Sequence, residues 1–341
     1  MSGAVGSALA RLAAGERLTR RAAREAMDGI MSGEATPAQI GAFLMGLRTR
    51  GETPEEIVGA AESMRAHARP FETGCRPLID TCGTGGDGAG TFNISTAAAF
   101  VVAGGGVPVA KHGNRSVSSA CGSADVLEAL GARIDLGPAA AARCLETTGI
   151  AFLFAPQYHG ATRHAAGPRR ELGVRTLFNI LGPLCNPAPV THQVMGVFTA
   201  ELLETAAEVL GLLGLEGAMV VHGDGGLDEF SLSGPTRVAE WRAGAVRTWT
   251  ITPEEVGLER APTEALAGGG AADNAVLLRR IFEGESGPPA DVVCLNAAAS
   301  FWITGGCASF AEGVARAREV LDRGAARETL DAFASFTRES D

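Results

Sequence analysis

Lysine is all but missing from this chain. Lys111 stands alone among 29 basic residues, the rest being arginine, against 39 acidic ones. Alanine, glycine and arginine are abundant throughout, so the bland reading is a base-composition bias. Under that bias a single retained lysine marks a place where a compact ammonium serves better than a planar guanidinium. The net charge of −10 disfavours a protein that works by neutralising nucleic-acid phosphates. Seven cysteines form no CxxC pair, and the sparse histidines show no ligand spacing, which excludes the usual zinc patterns. Long apolar runs are lacking as well. Stretches such as AAAFVVAGGGVPVA are short and broken by glycine, so none reads as a membrane span. The opening MSGAVGSALARLAAGERLTRR has no signal-peptide pattern, and the expectation is a cytosolic protein. What remains, 46% hydrophobic and 20% charged residues, is the profile of a folded, globular chain.

The first seventy residues read as helices. TPAQIGAFLMGLRTRG carries Thr36 as N-cap, Pro37 at the first helical position and Gln39 to close a capping box. Ile40, Phe43, Leu44 and Leu47 repeat at helical spacing, and Gly51 ends the run. TPEEIVGAAESMRAHA repeats the device with Thr53, Pro54 and Glu56. An earlier segment sets Ala23, Met27, Ile30 and Met31 on one side. Three short amphipathic helices predict a small bundle, whose spare apolar face suits contact with a second subunit. From residue 77 short β-type runs alternate with alanine-rich helical stretches. PLIDT, VPVAK, IAFLFAP, VMGVF, GAMVVHG and DVVCL are the predicted strands; SADVLEALGA and ELLETAAEVLGLLG are predicted helices. The alternation predicts an α/β domain with a mostly parallel central sheet. The predicted division is a helical domain over 1–72, joined by part of 166–190, and an α/β domain over 73–165 and 191–341. The segment AGGGAADN reads as a turn. In such sheets ligands bind beyond the carboxyl ends of the strands, so the chemistry is sought there.

After LIDT comes CGTGGDGAGTFNIST, with five glycines from Gly83 to Gly90 and then Asn93, Ser95 and Thr96 before a helical run. Glycines let backbone N–H groups approach an anion, and a helix start adds donors and a positive dipole end. A capped glycine turn accounts for the same residues as well. The loop is read as neither a P-loop, because GxxxxGK[ST] is missing, nor a dinucleotide fingerprint, because its glycine spacing is read as wrong. After VPVA comes KHGNRSVSSACGSADVLEALG, where Lys111, His112, Asn114, Arg115, Ser116, Ser118 and Ser119 fall within nine residues. Two cations and several hydroxyls beside glycines suggest a second anion site; Ser123 or Asp125 is equally suited to capping the next helix. Two successive strand ends of this kind imply one ligand with more than one phosphate. GAMVVHGDGGLDEFS adds Asp228 and Glu229, adjacent carboxylates that suit Mg²⁺ beside a polyphosphate, or else a solvated acidic turn. In HGATRHAAGPRRELG, arginines such as Arg163, Arg169 and Arg170 suit a carboxylate or phosphate, with surface charge the plainer reading for most. Cys82, beside the glycine loop, has no acyl-transfer partners and reads as strand-end packing.

Together GTGGDGAGTFNIST, KHGNRSVSSACGSADVLEALG, RRELGVRTLFNILGPLCNP and GLDE resemble the anthranilate phosphoribosyltransferase family, and the likeness runs nearly end to end. The resemblance implies a small helical domain joined to a larger α/β domain, of the nucleoside phosphorylase type of phosphoribosyltransferase, and a homodimer joined through the helical domain. It implies transfer of the phosphoribosyl group from phosphoribosyl pyrophosphate (PRPP) to the amine of anthranilate, with release of pyrophosphate, in tryptophan biosynthesis. Gly83, Gly86, Asp87, Thr91, Asn93, Ile94, Ser95 and Thr96 match one PRPP loop. Lys111, His112, Gly113, Asn114, Arg115, Ser116, Val117, Ser118 and Ser119 match the second, and Ser123 a further contact. Gly83, Asn114 and Arg169 match the anthranilate site, Arg169 as the carboxylate clamp. Ser95, Asp228 and Glu229 match the Mg²⁺ contacts. HGATRH departs from the family in having glycine where many relatives have proline, so His159 is given no role. Because the aromatic amine is already neutral at pH 7, no general base is expected; Lys111 and Mg²⁺ support the departing pyrophosphate. Two rivals stand beside this reading: a pyrimidine nucleoside phosphorylase of the same fold, and a non-catalytic polyanion binder. The KHGNR loop and the GTGGD–NIST pairing disfavour the first; the net charge and the GLDE pair disfavour the second.

Overall fold

A computed structural model describes residues 3–116 and 120–340. Four helices open it: α1 (Ala4–Ala13), α2 (Arg20–Met31), α3 (Pro37–Arg50) and α4 (Pro54–Ala66). The sequence reading had three; α1 escaped it. Both expected capping boxes form. Thr36 accepts from Gln39 N and Thr53 from Glu56 N, each glutamine or glutamate side chain reaching back to its cap, with proline at the helix start. These bonds satisfy N–H groups that a helix start otherwise leaves open. Gly51, at φ 84°, turns the chain out of α3. Buried Glu56 does more than close its box: it accepts from Leu18 N at 2.7 Å and pairs with Arg50 at 2.6 Å, tying α4 to α3 and to the α1–α2 connection.

Seven strands follow: β1 (Ile79–Gly83), β2 (Val109–Gly113), β3 (Ile150–Phe154), β4 (His192–Gly196), β5 (Gly217–Gly223), β6 (Thr236–Arg242) and β7 (Ala245–Ile251). They form one sheet in the order β3-β2-β1-β4-β5-β6-β7, parallel from β3 to β5 and antiparallel at β6 and β7. This is the expected α/β architecture with two corrections. DVVCL is not a strand; it lies inside the buried helix Pro288–Ile303, where apolar residues on every side erase the helical period. The β6–β7 hairpin, TRVAEWRAGAVRTWTI, was missed because arginines interrupt both strands and the edge strand β7 buries neither face fully.

Side chains alternate across the sheet, as the pleat requires. Val194, Met219 and Val221 face one core with the helices Ile94–Gly104 and Pro288–Ile303, whereas Met195, Ala218 and Val220 face a second core. That second core holds the apolar faces of α1 to α4, with Ala165 from the helix Arg163–Leu172 and Ile180, Leu181 and Leu184 from the helix Phe178–Leu184, whose N-cap Leu177 joins them. The bundle therefore packs on one face of the sheet. Strand order reverses between β1 and β4, the crevice where open α/β sheets bind ligands.

Candidate active site

The reversal places the ends of β1, β2, β4 and β5 side by side, and the expected residues gather there. From β5 the chain crosses over the end of β4 and brings Asp228 against Gly83. A side chain at Gly83 would meet Asp228 Oδ2 at 2.5 Å, and one at Gly196 would meet the Asp228 carbonyl at 1.5 Å; only glycine admits this approach. Gly85 N donates to Asp228 Oδ2 at 2.7 Å. Asp87 Oδ2 accepts from Asp228 N at 3.4 Å, and its Oδ1 from Ala89 N at 3.2 Å. Glu229 Oε1 accepts from Ser95 N at 3.0 Å, so a carboxylate holds the first turn of the helix Ile94–Gly104, where the dipole favours it.

Burial, and then the neighbouring negative charge, raises the pKa of both Asp228 and Glu229; Asp87 is the neighbour for the first, and Asp228 for the second. A carboxylate cluster under such strain is relieved by a bound cation. Among the described residues no group of three or more His, Cys, Asp and Glu side chains is disposed to hold a metal ion. Two carboxylates with the Ser95 hydroxyl fit Mg²⁺, which takes few protein ligands and completes its shell from water and phosphate oxygens.

Lys111 lies in the middle of β2, beside this cluster. Its buried ammonium donates to the Thr81 carbonyl and lies 3.5 Å from Ser95 Oγ, with Asp80 and Glu229 as the charges around it. An ammonium fits between a carbonyl and a hydroxyl where a guanidinium fork does not. Asp80 accepts from His112 N and from Asn186 Nδ2, and burial pushes its pKa up to about 6. His112 is buried and neutral, its pKa pushed down to about 3 by desolvation and then by His159, whose ring lies 5.1 Å away.

The rest of the second loop folds onto its own helix, Ser123–Ala129. Asp125 accepts from Gly122 N and Ser116 N, which makes Gly122 the N-cap and Ser123 the first helical residue. Ser123 Oγ donates to the Asn114 carbonyl at 3.3 Å beside Gly113. The Arg115 guanidinium is tied to Asp125 and Glu128 at 2.9 and 2.6 Å, which raises its pKa and spends its charge locally. Val117, Ser118 and Ser119 lie outside the described residues. In the first loop Gly86 and Thr91 flank the turn, Ile94 opens the helix, and Thr96 is buried within it. Asn93 stands at the N-cap, yet its side chain caps nothing. Gly83, Gly85 and Gly88 do keep the G-x-G-x-x-G spacing, contrary to the sequence reading. What separates the loop from a dinucleotide turn is its length, for the helix waits until Ile94.

Arg169 lies on the helix Arg163–Leu172, which packs against α2 and α3. Its guanidinium sits 4.7 Å over the Phe178 ring and has no ion-pair or hydrogen-bond partner among the described residues; desolvation lowers its pKa. A stacked, unpaired guanidinium is prepared for a planar carboxylate. Cys82 is buried, accepts from Gln193 Nε2 at 3.2 Å and has its pKa raised by burial, which suits packing and not nucleophilic attack. Two polar residues escaped the sequence reading. Arg175 donates to the Gly86 carbonyl at 2.6 Å while stacked 4.0 Å over Phe198. Asn274 bonds Asn93 from 181 positions away. The GVRT context gave the first no distinction from its arginine neighbours, and the glycine run hid the second.

Family models match nearly the whole chain: a glycosyl transferase family helical bundle domain over 7–68 and the family's a/b domain over 75–327. The anthranilate phosphoribosyltransferase of Moorella thermoacetica is 55% identical over 328 residues, covering 96% of this chain and 97% of that one. That of Thermomicrobium roseum is 56% identical over 331 residues, covering 96% and 95%. The crystal structure of the Thermus thermophilus anthranilate phosphoribosyltransferase superposes with a TM-score of 0.93 at 49% identity, covering 97% of this chain and 99% of that chain. The Saccharomyces cerevisiae enzyme in complex with PRPP and magnesium superposes with a TM-score of 0.89 at 27% identity, over 98% of each chain. On sequence, fold and the arrangement of its strand-end loops, this chain belongs to the anthranilate phosphoribosyltransferase family of glycosyltransferases.

Proposed function

We propose that the crevice between β1 and β4 binds PRPP with Mg²⁺ and presents its anomeric carbon to the amine of anthranilate. The observation that carries this is the meeting, at one switch point, of two phosphate-type loops with a buried carboxylate pair. The first loop, from Gly83 to Thr96, and the second, from Lys111 to Ser119 with Ser123, hold PRPP. Asp228, Glu229 and Ser95 hold Mg²⁺, which supplies charge stabilisation to the departing pyrophosphate. Lys111 adds a fixed positive charge beneath Ser95. Arg169 takes the carboxylate of anthranilate, with Gly83 and Asn114 beside the ring, so the neutral amine is aimed without a general base. The chemistry rests on positioning and preorganised charge.

The helical unit is taken as residues 1–72 with part of 166–190, and the α/β unit as 73–165 and 191–341. The shared core of α1 to α4 with Leu177 and Leu184 supports the return of the later segment to the bundle. A homodimer through the helical unit and a cytoplasmic location complete the reading. No helix among the described residues is long and apolar enough to cross a membrane. The test is pyrophosphate release from PRPP. It should need anthranilate and Mg²⁺ together, and release from PRPP with water alone, at the same rate, would overturn the reading.

A further inference from the structure

The segment Leu266–Asn274, whose glycines read as an ordinary turn, is laced to the first phosphate loop. Phe92 N donates to the Leu266 carbonyl at 3.1 Å, and Gly268 N to the Gly90 carbonyl at 2.9 Å, around an antiparallel bridge between Thr91 and Ala267. The two backbones are so close that a side chain at Gly268 would meet Phe92 Cα at 2.7 Å. Asn274, buried on the helix Ala271–Phe282, finishes the attachment. Its Oδ1 accepts from Gly269 N at 2.7 Å, and its Nδ2 donates to Asn93 Oδ1 at 3.0 Å. Asn93 Nδ2 in turn donates to the Cys121 carbonyl at 3.1 Å. Cys121 lies just beyond the second phosphate loop. One chain of side-chain amides thus runs from the glycine segment, through the end of the first loop, to the end of the second.

We infer that Asn274 is a positioning residue for PRPP: acting through Asn93, it sets the separation of the two loops that must grip one phosphoribosyl group. The inference rests on the proposed PRPP site and adds a residue outside both loops. Asn93 has its amide engaged at both ends, so its side chain serves as a spacer between loops. A spacer of this kind matters because small displacements of a binding loop are costly to a multiply held ligand. Asn274 is buried, so its lost bond to Asn93 is not made good by water on that side.

The experiment is calorimetric titration of Mg²⁺·PRPP into wild-type protein and into Asn274→Ala, Asn274→Asp, Asn93→Ala and the Asn93→Ala/Asn274→Ala double variant. Turnover is measured in parallel. Asn274→Asp keeps an acceptor for Gly269 N and replaces the donor to Asn93 by a carboxylate oxygen, beside the Cys121 thiol that Asn274 also touches, so it carries the test if the alanine variant folds poorly. The expected result is PRPP binding weakened about tenfold in each single variant, with the anthranilate KM at saturating PRPP within about twofold of wild type. The double variant should be no weaker than Asn93→Ala. Unaltered PRPP affinity in Asn274→Asp, or losses that multiply in the double variant, would overturn the inference while leaving the PRPP site intact. Absence of Mg²⁺·PRPP binding by the wild-type protein would remove the site and the inference together.

Discussion

Charge placed where water is scarce governs this molecule at the scale of single residues. Asp228 and Glu229 are buried near each other, with Lys111 the cation beside Glu229, so Asp228→Asn together with Glu229→Gln should raise the Mg²⁺ concentration for half-maximal turnover by about tenfold or more. A Mg²⁺ titration of initial rates checks it, and an unchanged midpoint would remove the metal assignment. Arg169 has the opposite character: it is poised and unpaired. Arg169→Ala should raise the anthranilate KM by about tenfold or more and leave the PRPP KM nearly unchanged, because the lost bonds are charge-assisted and go to one substrate. Equal increases for both substrates would deny the clamp. His112 gives a pH signature. Its folded pKa of about 3 lies below the usual 6.5, so its contribution to stability is whole above pH 6.5 and is lost as pH falls toward 3. Between pH 7 and pH 5 the loss is about 2 kcal/mol. Asp80, raised to about 6, works the other way: its contribution is whole below 3.8 and fades as pH rises through 6. Comparing urea unfolding of wild type and His112→Gln at the two pH values isolates the histidine. The variant should show a shallower acid loss; equal slopes would mean that His112 is not buried neutral. The residue types of the site were legible in the sequence, because lysine, paired acids and glycine runs advertise their chemistry. The bonding partners were not. Nothing local says that Arg115 spends its charge on Asp125 and Glu128, or that the Asn93 side chain faces Asn274.

Elements were legible where their ends carry chemistry. Thr36 and Thr53 announced two helices because a cap, a proline and a return residue must coincide. Those boxes differ in weight. Thr53 Oγ1 also donates to Glu56 Oε2 at 2.9 Å, inside the buried cluster with Arg50 and Leu18. Thr53→Ala should therefore cost about 2 kcal/mol, and Thr36→Ala about 1 kcal/mol or less. Urea midpoints measure the difference, and equal losses would show that the Glu56 cluster holds without Thr53. Elements that end without such signals were read poorly. DVVCL looked like a strand because a wholly buried helix has no polar face to set its period, and α1 has Gly3 at its N-cap, with no side chain to cap it. AGGGAADN is a loop from Gly268 to Gly270 that runs into the helix Ala271–Phe282, and its turn reading left its contacts unread. A glycine segment is informative only once its neighbour is known, and here that neighbour is the loop at Thr91.

At the scale of the whole molecule, strand order decides function. Reversal between β1 and β4 gathers residues from 83 to 274 into one crevice, while the bundle packed on the opposite core brings the Arg169 helix to α2 and α3. The alternation of strands and helices in the sequence indicated the class of sheet, and the rule for strand ends indicated where to look. The order itself, and with it the approach of Asp228 to Gly83, follows only from the packed chain. The role proposed for this crevice is to join anthranilate to a phosphoribosyl group. The most direct measurement follows the fluorescence of free anthranilate on mixing it with the purified protein, PRPP and Mg²⁺. The expected result is a loss of signal that needs all of these components and stops when the limiting substrate is consumed. A steady signal from folded protein with every component present would contradict it.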